Sequence, residues 1–244
     1  MEKQRIAKVL ARMGVASRRE CERLIADRRI TVNGALVTHP ATLVGPDDSL
    51  ALDGRWLAAR EPVRLWRYHK PAGLLTTARD PQGRPTIFAH LPKNLPRVIS
   101  VGRLDYDTEG LLLLTNDGAL ARYLEHPAQA LVRIYRVRVH GPVDTAALAT
   151  LADGVTLEGL HYRPIEAHLD RRIGSNAWLT LSLREGKNRE IRRVMQALRL
   201  QVTRLIRVAY GPFELARLPR GAVAEVAPDD LRRLLPDFGP ASRA

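Results

Sequence analysis

The sequence predicts an α+β protein in two parts, a small helical module with a short sheet, followed by a larger sheet domain. Three observations carry this prediction. Apolar residues recur at helical spacing near the start, strand-like runs recur beyond residue 62, and only a few helical segments lie between those runs. The large sheet is expected to be mixed and mostly antiparallel.

In the first part, Ile6, Val9, Leu10 and Met13 define one helical face, and Gly14 is a natural stop. Ser17-Arg18-Arg19-Glu20 forms a capping box that opens a second helix burying Cys21, Leu24 and Ile25. Residues 30–37 read as a hairpin turning at Asn33-Gly34, and residues 44–57 as further short strands around Asp53-Gly54. This places a compact module at 1–60 and a short linker around 58–62. The second domain is expected over 63–236, with strands at 63–68, 111–115, 134–139, 177–183, 203–208 and 222–226. Helices are expected at 120–124, 145–153, 190–198 and 229–235, and a flexible tail at 237–244.

Charge narrows the partners. Lys+Arg 39 against Asp+Glu 26 gives a net +13, and arginine supplies most of the cations. A planar guanidinium matches phosphate oxygens and stacks on bases, so a nucleic acid is the expected partner. The first thirty residues alone hold nine cations against four anions, with Arg18 and Arg19 on an exposed helical face. The single cysteine, Cys21, excludes an intramolecular disulfide. No apolar run approaches a membrane span and no signal-peptide core opens the chain, so a cytoplasmic protein is expected.

No histidine or cysteine spacing matches a metal site, and no Walker or dinucleotide loop occurs. The expected chemistry therefore runs on side chains alone, with no metal and no cofactor. Three patches stand out: Tyr68-His69-Lys70-Pro71-Ala72-Gly73-Leu74-Leu75, a charged loop Gly102–Asp107 set before four consecutive leucines, and the basic stretch Arg184–Arg193. Either aspartate of the loop could be an ordinary turn residue, and Asn116-Asp117-Gly118 reads as a turn ending the leucine strand.

Together these features resemble known families. The ARMGVASRRECERLI and ITVNG stretches resemble the S4 RNA-binding domain. KPAGLLTT, GRLDYDTEGLLLLTNDG and REGKNREIRRVM, in that order, resemble the three motifs of pseudouridine synthases of the RsuA and RluB family. The resemblance implies isomerisation of a uridine in ribosomal RNA, that of the large subunit, without cofactor, and a monomeric enzyme is expected. It assigns Asp105 as the essential carboxylate, Lys187 as its basic partner with Arg192 as second choice, and Tyr135 as the residue over the uracil. It places Arg103 where the flipped base leaves a space, and Lys70, Arg189, Arg192, Arg18 and Arg19 are expected as RNA contacts. Asp107 is read as structural. The rival readings are the same activity on small-subunit RNA or tRNA, and a non-catalytic S4-type assembly factor.

Overall fold

The structure, a computed structural model, describes residues 3–58 and 61–238. The N-terminal unit comprises β1 (Gln4–Arg5), α1 (Ile6–Arg12), α2 (Arg18–Ala26), β2 (Ile30–Val32), β3 (Ala35–Leu36), β4 (Leu43–Val44), β5 (Leu50–Leu52) and β6 (Arg55–Trp56). The hydroxyl of Ser17 accepts from Glu20 N at 3.1 Å, so the capping signature does start α2. Ile6, Leu10, Cys21, Ile25 and Ile30 form a core of their own, distinct from the apolar clusters of the rest of the chain.

The second unit begins with β7 (Leu65–Lys70), β8 (Ile99–Val101) and β9 (Glu109–Thr115), then α3 (Gly118–Glu125), β10 (Arg133–His140) and α4 (Thr145–Ala149). It continues through β11 (Val155–Leu157), β12 (Leu160–Tyr162), β13 (Ile165–Ile173), β14 (Asn176–Leu183), α5 (Glu190–Ala197), β15 (Gln201–Tyr210), β16 (Phe213–Glu214), β17 (Val223–Glu225) and α6 (Pro228–Leu234). Seven strands run in the order β13-β14-β10-β15-β9-β7-β17, with β16 pairing on β15 and β8 on β9. Every pairing in this sheet is antiparallel except β15 with β9.

Both faces of β9 are covered, which explains leucines at four successive positions instead of alternation. Leu112 and Leu114 join the cluster holding Tyr68, Val137, Leu181 and Met195, whereas Leu111 and Leu113 pack toward Leu120, Leu124 and Phe213. Gly110 is obligatory here. Its φ is +105°, and a Cβ would sit 2.2 Å from the carbonyl oxygen of Arg207 on the adjoining parallel strand.

Two sequence readings need correction. Asn116-Asp117-Gly118 is not a turn in its own right: the Asp117 carboxylate caps α3, accepting from Ala119 N and Leu120 N. The long strand β13 was not expected at all. Of the anticipated tail, 239–244 lie outside the described residues, and Phe238 packs its ring on Tyr123 at 5.3 Å. Residues 59 and 60 of the linker also lie outside them.

Candidate active site

The loop between β8 and β9 carries Asp105, and its backbone is clamped from below by the first sequence patch. Lys70, at the end of β7, is fully buried. Its ammonium donates to the carbonyls of Pro71 at 3.0 Å, Asp105 at 3.1 Å, Tyr106 at 3.4 Å and Thr108 at 2.9 Å. Burial lowers its pKa to about 8, against the opposing pull of Asp105, Asp107 and Glu109. Gly73 N donates to Tyr106 O, and Thr76 exchanges hydrogen bonds with the Leu104 backbone through its hydroxyl. Lys70 is thus no RNA contact. It is the post on which the aspartate loop is wound, and a buried ammonium cannot reach a phosphate.

Above this loop opens a cleft of about 320 Å³, within the size range of small-ligand sites. Asp105, Arg103, Tyr135, Lys187, Arg189 and Arg192 all line it. Asp105 is partly exposed on the rim, and Tyr135 is buried in β10, where period-2 alternation turns it toward the cleft and Arg136 away. The third patch leaves β14 through Gly186 and enters α5 at Glu190, with Arg189 in the left-handed region at φ +50°.

Lys187 does not meet Asp105. Its ammonium lies 2.6 Å from Glu185 Oε2, two residues before it in the chain, and 2.7 Å from His161 O. Burial works to raise the Glu185 carboxyl, but hydrogen bonds from Lys187 and from Arg163 N outweigh it and leave it below the ordinary range. Beside it, Glu190 is buried and pushed up to about 7, chiefly by burial and further by the neighbouring Glu185. The cations that feel the charge of Asp105 are Arg192 and the buried Lys70.

Asp107 bridges the two sides of the cleft. Its carboxylate is 3.0 Å from Arg192 and 3.4 Å from Arg189, and Arg192 also donates to its carbonyl at 3.2 Å. Both arginines expected to hold RNA are therefore engaged in tying α5 to the aspartate loop. Arg103 is exposed on the rim. Arg18 and Arg19 lie away from the cleft, exposed on α2, with Arg18 3.5 Å from Glu22.

The sequence reading overlooked a further group. Tyr210 lies between two guanidiniums, Arg133 at 4.8 Å and Arg207 at 5.0 Å from its ring centroid, and all three line the cleft. Its hydroxyl donates to Leu124 O, and Arg207 donates to Leu111 O, anchoring the cleft wall on the leucine strand. Only adjacent-strand register places these residues together, Arg133 opposite Tyr210 and Tyr135 opposite Arg207. Among the described residues no group of His, Cys, Asp and Glu could hold a metal ion.

The comparisons with known proteins follow the same order as the fold. An S4 domain profile matches residues 4–50, and an RNA pseudouridylate synthase profile matches residues 64–197. The chain belongs to the RNA pseudouridine synthase family. This synthase is 45% identical to an RNA pseudouridine synthase of Rickettsia bellii, over 91% of this chain and 96% of the relative. It is 44% identical to the ribosomal large subunit pseudouridine synthase B of Shigella flexneri, over 91% of this chain and 79% of that one. A solved pseudouridylate synthase superposes with a TM-score of 0.65 at 26% identity, covering 95% of this chain and 99% of its own. The protein is accordingly an RNA-modifying enzyme with an S4 domain, and no described helix is long and apolar enough to cross a membrane.

Proposed function

We propose that this synthase isomerises a uridine of large-subunit ribosomal RNA, with Asp105 as the essential carboxylate and no cofactor. The reaction breaks the N1–C1′ bond, turns the uracil and rejoins it through C5, so it consumes no redox equivalent or group donor. Asp105 acts on the ribose, by attack at C1′ or by taking the C2′ proton. Tyr135 stacks on the uracil and assists loss of the C5 proton, while Arg103 fills the space vacated by the extruded base.

The observation that carries this reading is convergence: a partly exposed carboxylate on a clamped loop faces a tyrosine and a set of guanidiniums across one cleft. Arg192 takes the role first assigned to Lys187, since it lines the cleft with Asp105 and is held 3.0 Å from Asp107 on the same loop, whereas Lys187 is drawn to Glu185. The large-subunit target rests on the names of the Shigella flexneri and Pasteurella multocida relatives, both ribosomal large subunit pseudouridine synthases B. The S4 unit, with Arg18 and Arg19 exposed, supplies affinity and placement.

The test is a map of pseudouridines across all cellular RNA with and without the gene. One site lost from large-subunit rRNA is expected. A site lost from small-subunit rRNA or tRNA would redirect the target, and an unchanged map would favour the assembly-factor rival.

A further inference from the structure

The sheet has a second face opposite the cleft side of β10, and its register gathers arginines there. Directly opposed residues in antiparallel strands project to the same side. Arg171 pairs with Trp178, Trp178 with Arg138, and Arg138 with Arg204, so one row crosses four strands. At strand spacings of about 4.8 Å that row spans roughly 14 Å. The neighbouring row adds Arg136, whose guanidinium lies 5.0 Å from the Trp178 ring centroid.

This face is not a core. Arg136, Arg138, Arg171 and Arg204 are exposed and Trp178 is half-exposed, whereas Val137, Val139, Leu179 and Leu181 on the other face are buried. Two of the four charges are met within the chain: Arg136 lies 3.7 Å from Asp170, and Arg204 donates twice to the Glu109 carboxylate, at 2.9 and 3.0 Å, leaving its outer edge to solvent. Arg138 and Arg171 have no carboxylate partner among the described residues. Their charge serves no internal pairing and leaves this face open to an anionic partner.

We propose that this outer sheet face is a second RNA-binding surface, gripping a segment of the substrate remote from the target uridine. Phosphates would lie along the Arg171–Arg138–Arg204 row, where planar guanidiniums match their oxygens, and a base would stack at Trp178 beside Arg136. The surface is distinct from both the cleft and the S4 helices. It rests on RNA being the substrate, and it is independent of which RNA carries the target.

The experiment uses the double variant Arg138→Gln, Arg171→Gln of the full chain. Its binding to deproteinised total ribosomal RNA from cells lacking the gene is titrated over a salt series beside wild type, with pseudouridine formation measured on the same RNA. Affinity at low salt is expected to fall about tenfold, with the log–log salt slope shallower by roughly 2. Turnover at saturating RNA should be unchanged. Trp178→Ala should weaken binding without altering the salt slope, and ultraviolet crosslinking should attach RNA to residues 171–178. Unchanged affinity and slope in the double variant would overturn the proposal. So would a loss seen only with protein-containing ribosomal particles, which would assign the face to an acidic protein. If wild type forms no pseudouridine in this RNA yet the slope still drops, the surface stands and the target reading falls.

Discussion

The two walls of the cleft are held by different physics. The aspartate wall is braced through backbone: four carbonyls on one buried ammonium, the Gly73–Tyr106 bond and the Thr76 hydroxyl fix the path of 102–108 whatever the side chains do. The opposite wall, 185–192, is braced by side-chain charge, with Lys187 on Glu185, Glu190 beside them and Arg189 and Arg192 on Asp107. Both walls carry a titrating group: the clamp on the first loses its proton as pH rises through about 8, where Lys70 is neutralised, and Glu190 on the other ionises near 7. The difference lies in what holds each wall: the Asp105 loop is set by hydrogen bonds to its backbone, and 185–192 by pairs of charged side chains.

The largest effect is expected from breaking the first wall. Lys70→Met removes the ammonium from three loop carbonyls and from that of Pro71; Asp105 O and Tyr106 O each keep one backbone donor, while the Thr108 and Pro71 carbonyls lose this one. Stability should fall by about 2–4 kcal/mol, and pseudouridine formation by more than a hundredfold, because the loop no longer holds Asp105 in place. Near-normal activity in a folded Lys70→Met protein would show that the clamp is dispensable.

Lys187→Met should have a smaller effect with a distinctive pH signature. It strips the counter-charge from Glu185, so about 1–2 kcal/mol of stability should be lost at pH 8. The loss should persist down to about pH 4.5 and shrink below it, as Glu185, held below its ordinary range in the folded protein, takes up a proton. If Lys187 instead paired with Asp105, activity would fall steeply and the Glu185-dependent stability change would be absent.

Glu190→Gln sharpens the contrast with the smallest change. The folded pKa of Glu190, about 7, lies above its ordinary value of 4.5. The folded state therefore holds the proton more tightly, and this group's contribution to stability is full below 4.5 and lost as pH rises through 7. The glutamine cannot ionise, so the variant should be level with wild type near pH 5 and roughly 1 kcal/mol more stable at pH 8. A wild-type-shaped pH profile in thermal melts of Glu190→Gln would remove Glu190 as the titrating group.

Much of this was legible in the sequence where local chemistry decides. The capping box of α2, the leucine strand and the gathering of Asp105, Tyr135 and the third patch into one cleft all follow from pattern and motif. What was not legible depends on distant partners. Lys70 reads as a surface cation until the topology folds a loop 35 residues away over it. The strand β13 was hidden because its bulge at Asp170, followed by Arg171 and Arg172, breaks the alternation begun by Ile165, Ala167 and Leu169. Tyr210 and its flanking arginines meet only through sheet register.

The central claim, that a backbone-clamped Asp105 performs the chemistry, is tested most directly by Asp105→Asn in a single-turnover assay at saturating enzyme. The substrate is ribosomal RNA from cells lacking the gene, and a binding isotherm and a melting curve are taken for the same protein. The variant keeps shape and loop hydrogen bonds, since Lys70 and Thr108 hold the Asp105 carbonyl and not its carboxylate. Pseudouridine should fall below detection while RNA affinity and melting temperature stay at wild-type values. Pseudouridine formed by Asp105→Asn at the wild-type rate would contradict the account.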